Sequence, residues 1–225
     1  MLRGAPGFVV VAAVAAVAAA AAPAGAQPVA QRKLGVDLGL QVGFGLTYGR
    51  INENLTQGLN DVVSSMVPIA VDAGYRVEDR IAVGLRFQYG ILQFSDAGQA
   101  CGPGADCRGS ATAIAAHVTF HAPVSWRFVP SLRLGGGYEW LHMRLTGDFM
   151  GAPADINLHF RGWMFGLAEL GADYAVLPRL ALGPFVGLSV GRYNFGSDGD
   201  TPEQPLIYKR VHEWVVFGVR GVFSL

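Results

Sequence analysis

Ten ionisable side chains recur within alternating stretches of this chain: Asp37, Asp72, Glu139, Glu169 and Asp173 against Arg76, Arg86, Arg133, Arg161 and Arg220. Two chemistries are open to such a set. A carboxylate whose proton affinity is shifted by its neighbours can serve as a general acid or base. Alternatively, carboxylates and guanidinium groups neutralise one another, which is the condition on which charge can be buried at all. Five acids against five bases favour the second reading, because a balanced set leaves no odd charge poised for catalysis. His117 and His121, two apart, offer two metal ligands, but the sequence identifies no third, so hydrogen bonding is expected there, with no metal and no cofactor. No Ser/His/acid arrangement supplies a nucleophile, and the chain is expected not to be an enzyme. Cys101 and Cys107 are the only cysteines and flank a turn-rich segment, so they read as a disulfide. The segment 198–203 has the carboxylates of a divalent-cation turn but lacks the length and later ligand of an EF-hand, and reads as a solvated acidic loop.

The elements that must position these residues are strands. From Leu34 to Tyr48 the even positions are Leu, Val, Phe or Tyr, while the odd ones are Gly, Asp, Gln or Thr. A period of two this long means that one face is apolar and the other small or polar. The pattern returns near Ile69–Val77, Ile81–Ile91, Thr112–Ala122, Leu132–Arg144, Arg161–Val176, Leu180–Arg192 and Tyr208–Leu225, giving eight strands with the first. The connections alternate too. Short turns fall at Glu78-Asp79, Pro123–Ser125 and Leu177–Arg179; long polar segments fall at Arg50–Ser65, Asp96–Ser110, Gly147–Leu158 and Gly196–Ile207. Pro184 sits within the seventh strand on its apolar face, where a missing N–H predicts an irregular ladder.

Composition narrows the setting. The 225 residues are 51% hydrophobic and 15% charged, below the roughly 25% charged of an average soluble domain. Disorder is excluded. With 17 Lys+Arg against 17 Asp+Glu, no excess of positive charge exists to bind nucleic acid. Met1 to Ala26 carries Arg3, an apolar stretch from Phe8 to Ala22 and then Ala24-Gly25-Ala26, the pattern of a cleaved secretory signal. Residues 27–225 are expected to form one domain.

A leader, eight alternating strands, Tyr and Trp near strand ends, and a last strand ending Phe217-Gly218-Val219-Arg220-Gly221-Val222-Phe223-Ser224-Leu225 together resemble the OmpA/OmpX-type small outer-membrane barrels. The resemblance implies an all-β, eight-stranded antiparallel up-and-down transmembrane β-barrel in the bacterial outer membrane, inserted with the help of the barrel-assembly machinery. A soluble lipocalin-like barrel has the same strand number, but its apolar face points inward and its outside is charged. Here the face rich in Leu, Val, Ile and Phe has almost no charge along its middle, which suits lipid outside.

Parity then assigns roles. The ten ionisable residues fall inward, where an eight-stranded barrel is just wide enough to be filled by side chains, and a salt-bridged plug is expected rather than an aqueous pore. Toward the long loops, parity also turns Phe94, Leu141, Trp163, Phe165, Tyr193 and Trp214 inward, as packing, as a register-flipping bulge, or as an acyl-chain pocket. The loops hold Glu53, Asp61, Asp96, Asp106, Asp148, Asp155, Asp198, Asp200 and Glu203 against Arg50 and Arg108, an acidic crown. Below it Arg144, Arg192 and Lys209 point outward at headgroup level, as candidate contacts to lipopolysaccharide phosphates. The expected role is structural or surface-interacting; the alternatives are a lipid-binding or lipid-modifying barrel and a narrow pore.

Overall fold

A computed structural model describes residues 35–50, 58–95, 101, 105–123, 128–149, 152–199, 201–207 and 209–225; the leader lies outside them. Alternation over β1 (Gly35–Gly49) produces one continuous strand. It is followed by a single helical turn, α1 (Leu59–Val62), and by β2 (Val63–Glu78), β3 (Ile81–Phe94), β4 (Asp106–His121), β5 (Phe128–Phe149), β6 (Ala152–Leu177), β7 (Leu180–Ser197), β8 (Gln204–Pro205) and β9 (Val211–Ser224). Each long strand pairs antiparallel with the next, and β9 pairs with both β7 and β1. Eight strands therefore close a ring, and the two-residue β8 only extends the loop end of β7. Closure satisfies every ladder from within, the one way a sheet can cross hydrocarbon without a bare edge. Among the described residues no helix is long and apolar enough to cross a membrane.

The two faces sort as the alternation requires. Leu40, Val71, Leu85, Phe87, Leu182 and Val219 stand exposed on the outer wall, whereas Gln41, Asp72, Arg86, Arg133, Glu169 and Arg220 are buried inside.

The strands outrun the alternation on the loop side. β2 begins at Val63 rather than near Ile69, β4 at Asp106 rather than Thr112, and the β5–β6 ladder continues to Phe149 opposite Ala152, through the segment read as a long loop from Gly147 to Leu158. Beyond the bilayer the outer face meets water while the inner one still packs, as Val63 and Met66 do, so the outer apolar stripe stops while the backbone ladder does not. Pro184 is outward and exposed, and the register around it is unshifted: Gly171 lies opposite Phe185 and Tyr174 opposite Leu182, with pairing to β6 lapsing only at Gly183 and Pro184.

Candidate functional site

The interior is layered, and its lower layer is ionic. Asp72 on β2 accepts from Arg86 Nε on β3 at 2.8 Å and from Arg133 Nη1 on β5 at 3.1 Å. Glu169 on β6 lies 2.9 Å from Arg86 Nη2, 3.4 Å from Arg133 Nη1 and 2.7 Å from Arg220 Nη1. Arg220 on β9 also donates to both oxygens of Asp173, at 2.7 and 2.9 Å, and to Ser131 Oγ. Three carboxylates and three guanidinium groups form one connected network, every member under a tenth exposed. Gln41 Nε2 donates to Glu169, and Arg133 Nε donates to Thr119 Oγ1, so the remaining polar valences are used as buried charge requires. At the turn end, Arg76 donates to Asp37 at 2.6 Å and Ser224 Oγ donates to the same carboxylate. An ideal Cβ on Gly171 would sit 2.6 Å from Arg220 Nη2, so only glycine leaves room there for the guanidinium.

Two of the ten ionisable residues belong elsewhere. Glu139 meets His212 Nε2, not an arginine, and His212 stacks on Tyr193 with ring centroids 4.1 Å apart. Arg161 is not in the lumen: it lies near the loops, 2.6 Å from Glu203 and over the ring of Phe195. The cause is a bulge in β6. Leu167 lies opposite Gly135 but Met164 lies opposite Gly137, so two residues of β6 answer one of β5 and parity inverts above it. The same inversion sends Trp163 and Phe165, each 60% exposed, to the lipid side, so of the readings open for these two the register-flipping bulge holds and their inward placement by parity does not. There Trp163 packs edge-on against Tyr138, which likewise meets Trp140.

The upper layer is apolar. Leu141, Tyr193 and Trp214 are buried with Leu59, Val63, Met66, Leu92 and Met143, and Phe94 packs against them. Leu59 comes from α1, whose start is held by Gly58 N donating to Asp61 Oδ2 at 2.7 Å. No alternation signals it, because it sits on a helical turn. His212 was legible in principle, since it shares the parity of Trp214 and Arg220. Between the layers lies a cavity of 40 Å³ lined by Gln41, Arg86, Glu139, Glu169 and Trp214. A second, also 40 Å³, lies toward the turns beside Asp37, His117 and His121. Among the described residues no three His, Cys, Asp or Glu converge on a metal-sized space.

On the rim, Cys101 and Cys107 are joined by a disulfide. Arg144 holds Asp155 through two donors at 3.0 and 2.6 Å, and Arg108 holds Asp106 at 2.9 Å. Arg192 and Lys209 are exposed. Glu53, Asp96 and Asp200 of the acidic loops lie outside the described residues. The hydrogen bonds from Arg144, together with its charge, hold the Asp155 carboxyl below the usual carboxylate range. A group held low in the fold favours the fold above its unfolded value of about 3.9 and loses that contribution as pH falls through the folded one. Acidification through this window is expected to release the Arg144–Asp155 contact, seen as an upfield shift of the Asp155 carboxyl carbon in a ¹³C titration; a titration midpoint at the ordinary aspartate value would contradict it.

The fold has distant likenesses among solved structures. Neisserial surface protein A aligns with a TM-score of 0.46 at 12% identity, over 84% of this chain and 97% of that one. Ail, the attachment invasion locus protein of Yersinia pestis, gives 0.45 at 10%, over 84% and 99%, and the outer membrane protein OprG of Pseudomonas aeruginosa gives 0.45 at 14%, over 87% and 98%. No curated protein sequence matches the chain. A family model does: residues 10–211, which run through β7 and β8 to the first residue of β9, match the outer membrane protein beta-barrel domain, and the chain belongs to that family.

Proposed function

We propose that this outer-membrane barrel is non-enzymatic and plugged, and that it acts at its outer surface, bracing the envelope or meeting external partners through its loops. One observation carries the reading: the ionic network and the apolar cluster stack one above the other across the lumen, with only 40 Å³ between them. That is space for a few water molecules, not for a hydrated ion path or an acyl chain. Of the aromatic residues that an acyl pocket would need, Tyr193 and Trp214 are packed to under a twentieth exposure, Phe94 packs against the same cluster, and Trp163 and Phe165 are turned to lipid. In planar bilayers the purified chain is expected to give no stable unitary current. Long-lived conductance steps would overturn the plug.

For lipopolysaccharide we propose Arg192 and Lys209 as the contacts, and leave out Arg144, whose guanidinium is engaged by Asp155. Cationic side chains at the headgroup layer are attracted by phosphate charge, and a carboxylate partner such as Asp155 offsets that attraction. Changing Arg192 and Lys209 together to Gln is expected to reduce lipopolysaccharide co-purification several-fold, while Arg144→Gln leaves it unchanged; equal retention in both would sink the assignment.

A further inference from the structure

We propose that His142 and His159 form a surface site for a transition-metal ion of the Cu²⁺, Ni²⁺ or Zn²⁺ class on the outer wall of the barrel. The two residues are directly opposite on β5 and β6. Their rings stack at 4.1 Å between centroids with planes 14° apart. They lie one row above Trp140 and Arg161 and one row below Arg144 and Asn157, so they sit just past the aromatic belt, where water and headgroups mix. His142 is exposed and His159 half-exposed, so an ion reaches them without any rearrangement of the barrel.

The chemistry follows from the ligand type. Imidazole nitrogens bind these metals at about 2.0–2.1 Å, so a four-coordinate ion bridges two nitrogens roughly 3–3.5 Å apart. Rings already stacked across a ladder reach that separation by turning about their own side-chain bonds, with the backbone fixed by pairs on either side. Metal binding needs the neutral imidazole. Arg144 is paired with Asp155, whose charge offsets its repulsion of an incoming cation. No third His, Cys, Asp or Glu joins the two among the described residues, so the remaining coordination positions fall to water. The site is therefore open and exchangeable, and its preference among imidazole-binding metals follows the usual order with Cu²⁺ tightest.

The test uses the untagged chain, refolded in a zwitterionic detergent and titrated with CuCl₂ and with ZnCl₂ by calorimetry. One equivalent is expected, with the Cu²⁺ form showing two equatorial imidazole nitrogens by electron paramagnetic resonance. His142→Asn and His159→Asn are each expected to weaken Cu²⁺ binding more than about tenfold, with folding confirmed by heat-dependent gel mobility. The pair His117→Asn/His121→Asn should leave it intact. Absence of saturable binding, a spectrum with fewer than two imidazole nitrogens, or unchanged binding in the first two variants would each overturn the site.

Discussion

Arg220→Met is expected to lower the unfolding free energy of the barrel by about 3–5 kcal/mol, the usual cost of removing one partner from a buried ion pair. The residue is 3% exposed and joins β9 to two carboxylates of β6 and to Ser131 of β5. Methionine fills much of the same volume, so the change removes charge more than packing. Glu169 keeps Arg86 and Arg133, but Asp173 loses the guanidinium that grips both of its oxygens and must be buried ionised without it or be protonated. Pairing the change with Asp173→Asn removes that stranded charge, and the double variant is expected to recover a sizeable part of the loss. The measurement is urea unfolding in phospholipid vesicles followed by tryptophan fluorescence. If Arg220→Met alone matched the parent, water would be solvating this layer and the plug would fall with it.

Leu85→Arg is expected to cost about 2–4 kcal/mol in the same assay, the penalty for a cation on the lipid face at the bilayer midplane. Leu85 is 61% exposed and lies on the outer face of β3, midway between Ile81 and Tyr89. In a water-soluble barrel an arginine at so open a position would change stability by no more than about 0.5 kcal/mol. The experiment therefore tests which solvent the outer wall faces, independently of the lumen. Leu85→Ala serves as the control, since it shortens the apolar contact without introducing charge. A neutral result for arginine would put water where the argument needs hydrocarbon.

Period-two alternation carried most of the architecture, and it did so because one repeating constraint, lipid outside and a crowded lumen inside, acts on every strand. It carried less of the site. Parity counting assumes an unbroken register, and a single additional residue in β6 between Met164 and Leu167 inverted every inference above it, taking Arg161, Trp163 and Phe165 out of the interior. Nothing in Trp163-Met164-Phe165-Gly166 announces that bulge by composition. Leu59 was illegible for a different reason, since a residue on a helical turn follows no strand period. The loop-end limits of β2, β4, β5 and β6 were set too low because hydrogen-bonded ladders persist in water after the hydropathy signal has faded. Glu139 was assigned to the right face, but alternation named no partner for it: which inward neighbours touch depends on the stagger between strands, and that is set by pairing register rather than by either strand alone.

The ionic layer also has a bearing on how the protein enters its membrane. Its six charges come from β2, β3, β5, β6 and β9, and its contacts join residues 14, 47, 51 and 61 positions apart. A ribbon advancing into hydrocarbon hairpin by hairpin would carry unpaired ions along the way, with Asp72 and Arg86 matched early and Glu169 matched by Arg133 on the neighbouring strand, but Asp173 waiting for β9. Cylinder formation is thereby tied to neutralising the interior, because the strand that closes the ring is the one that brings Asp173 its guanidinium.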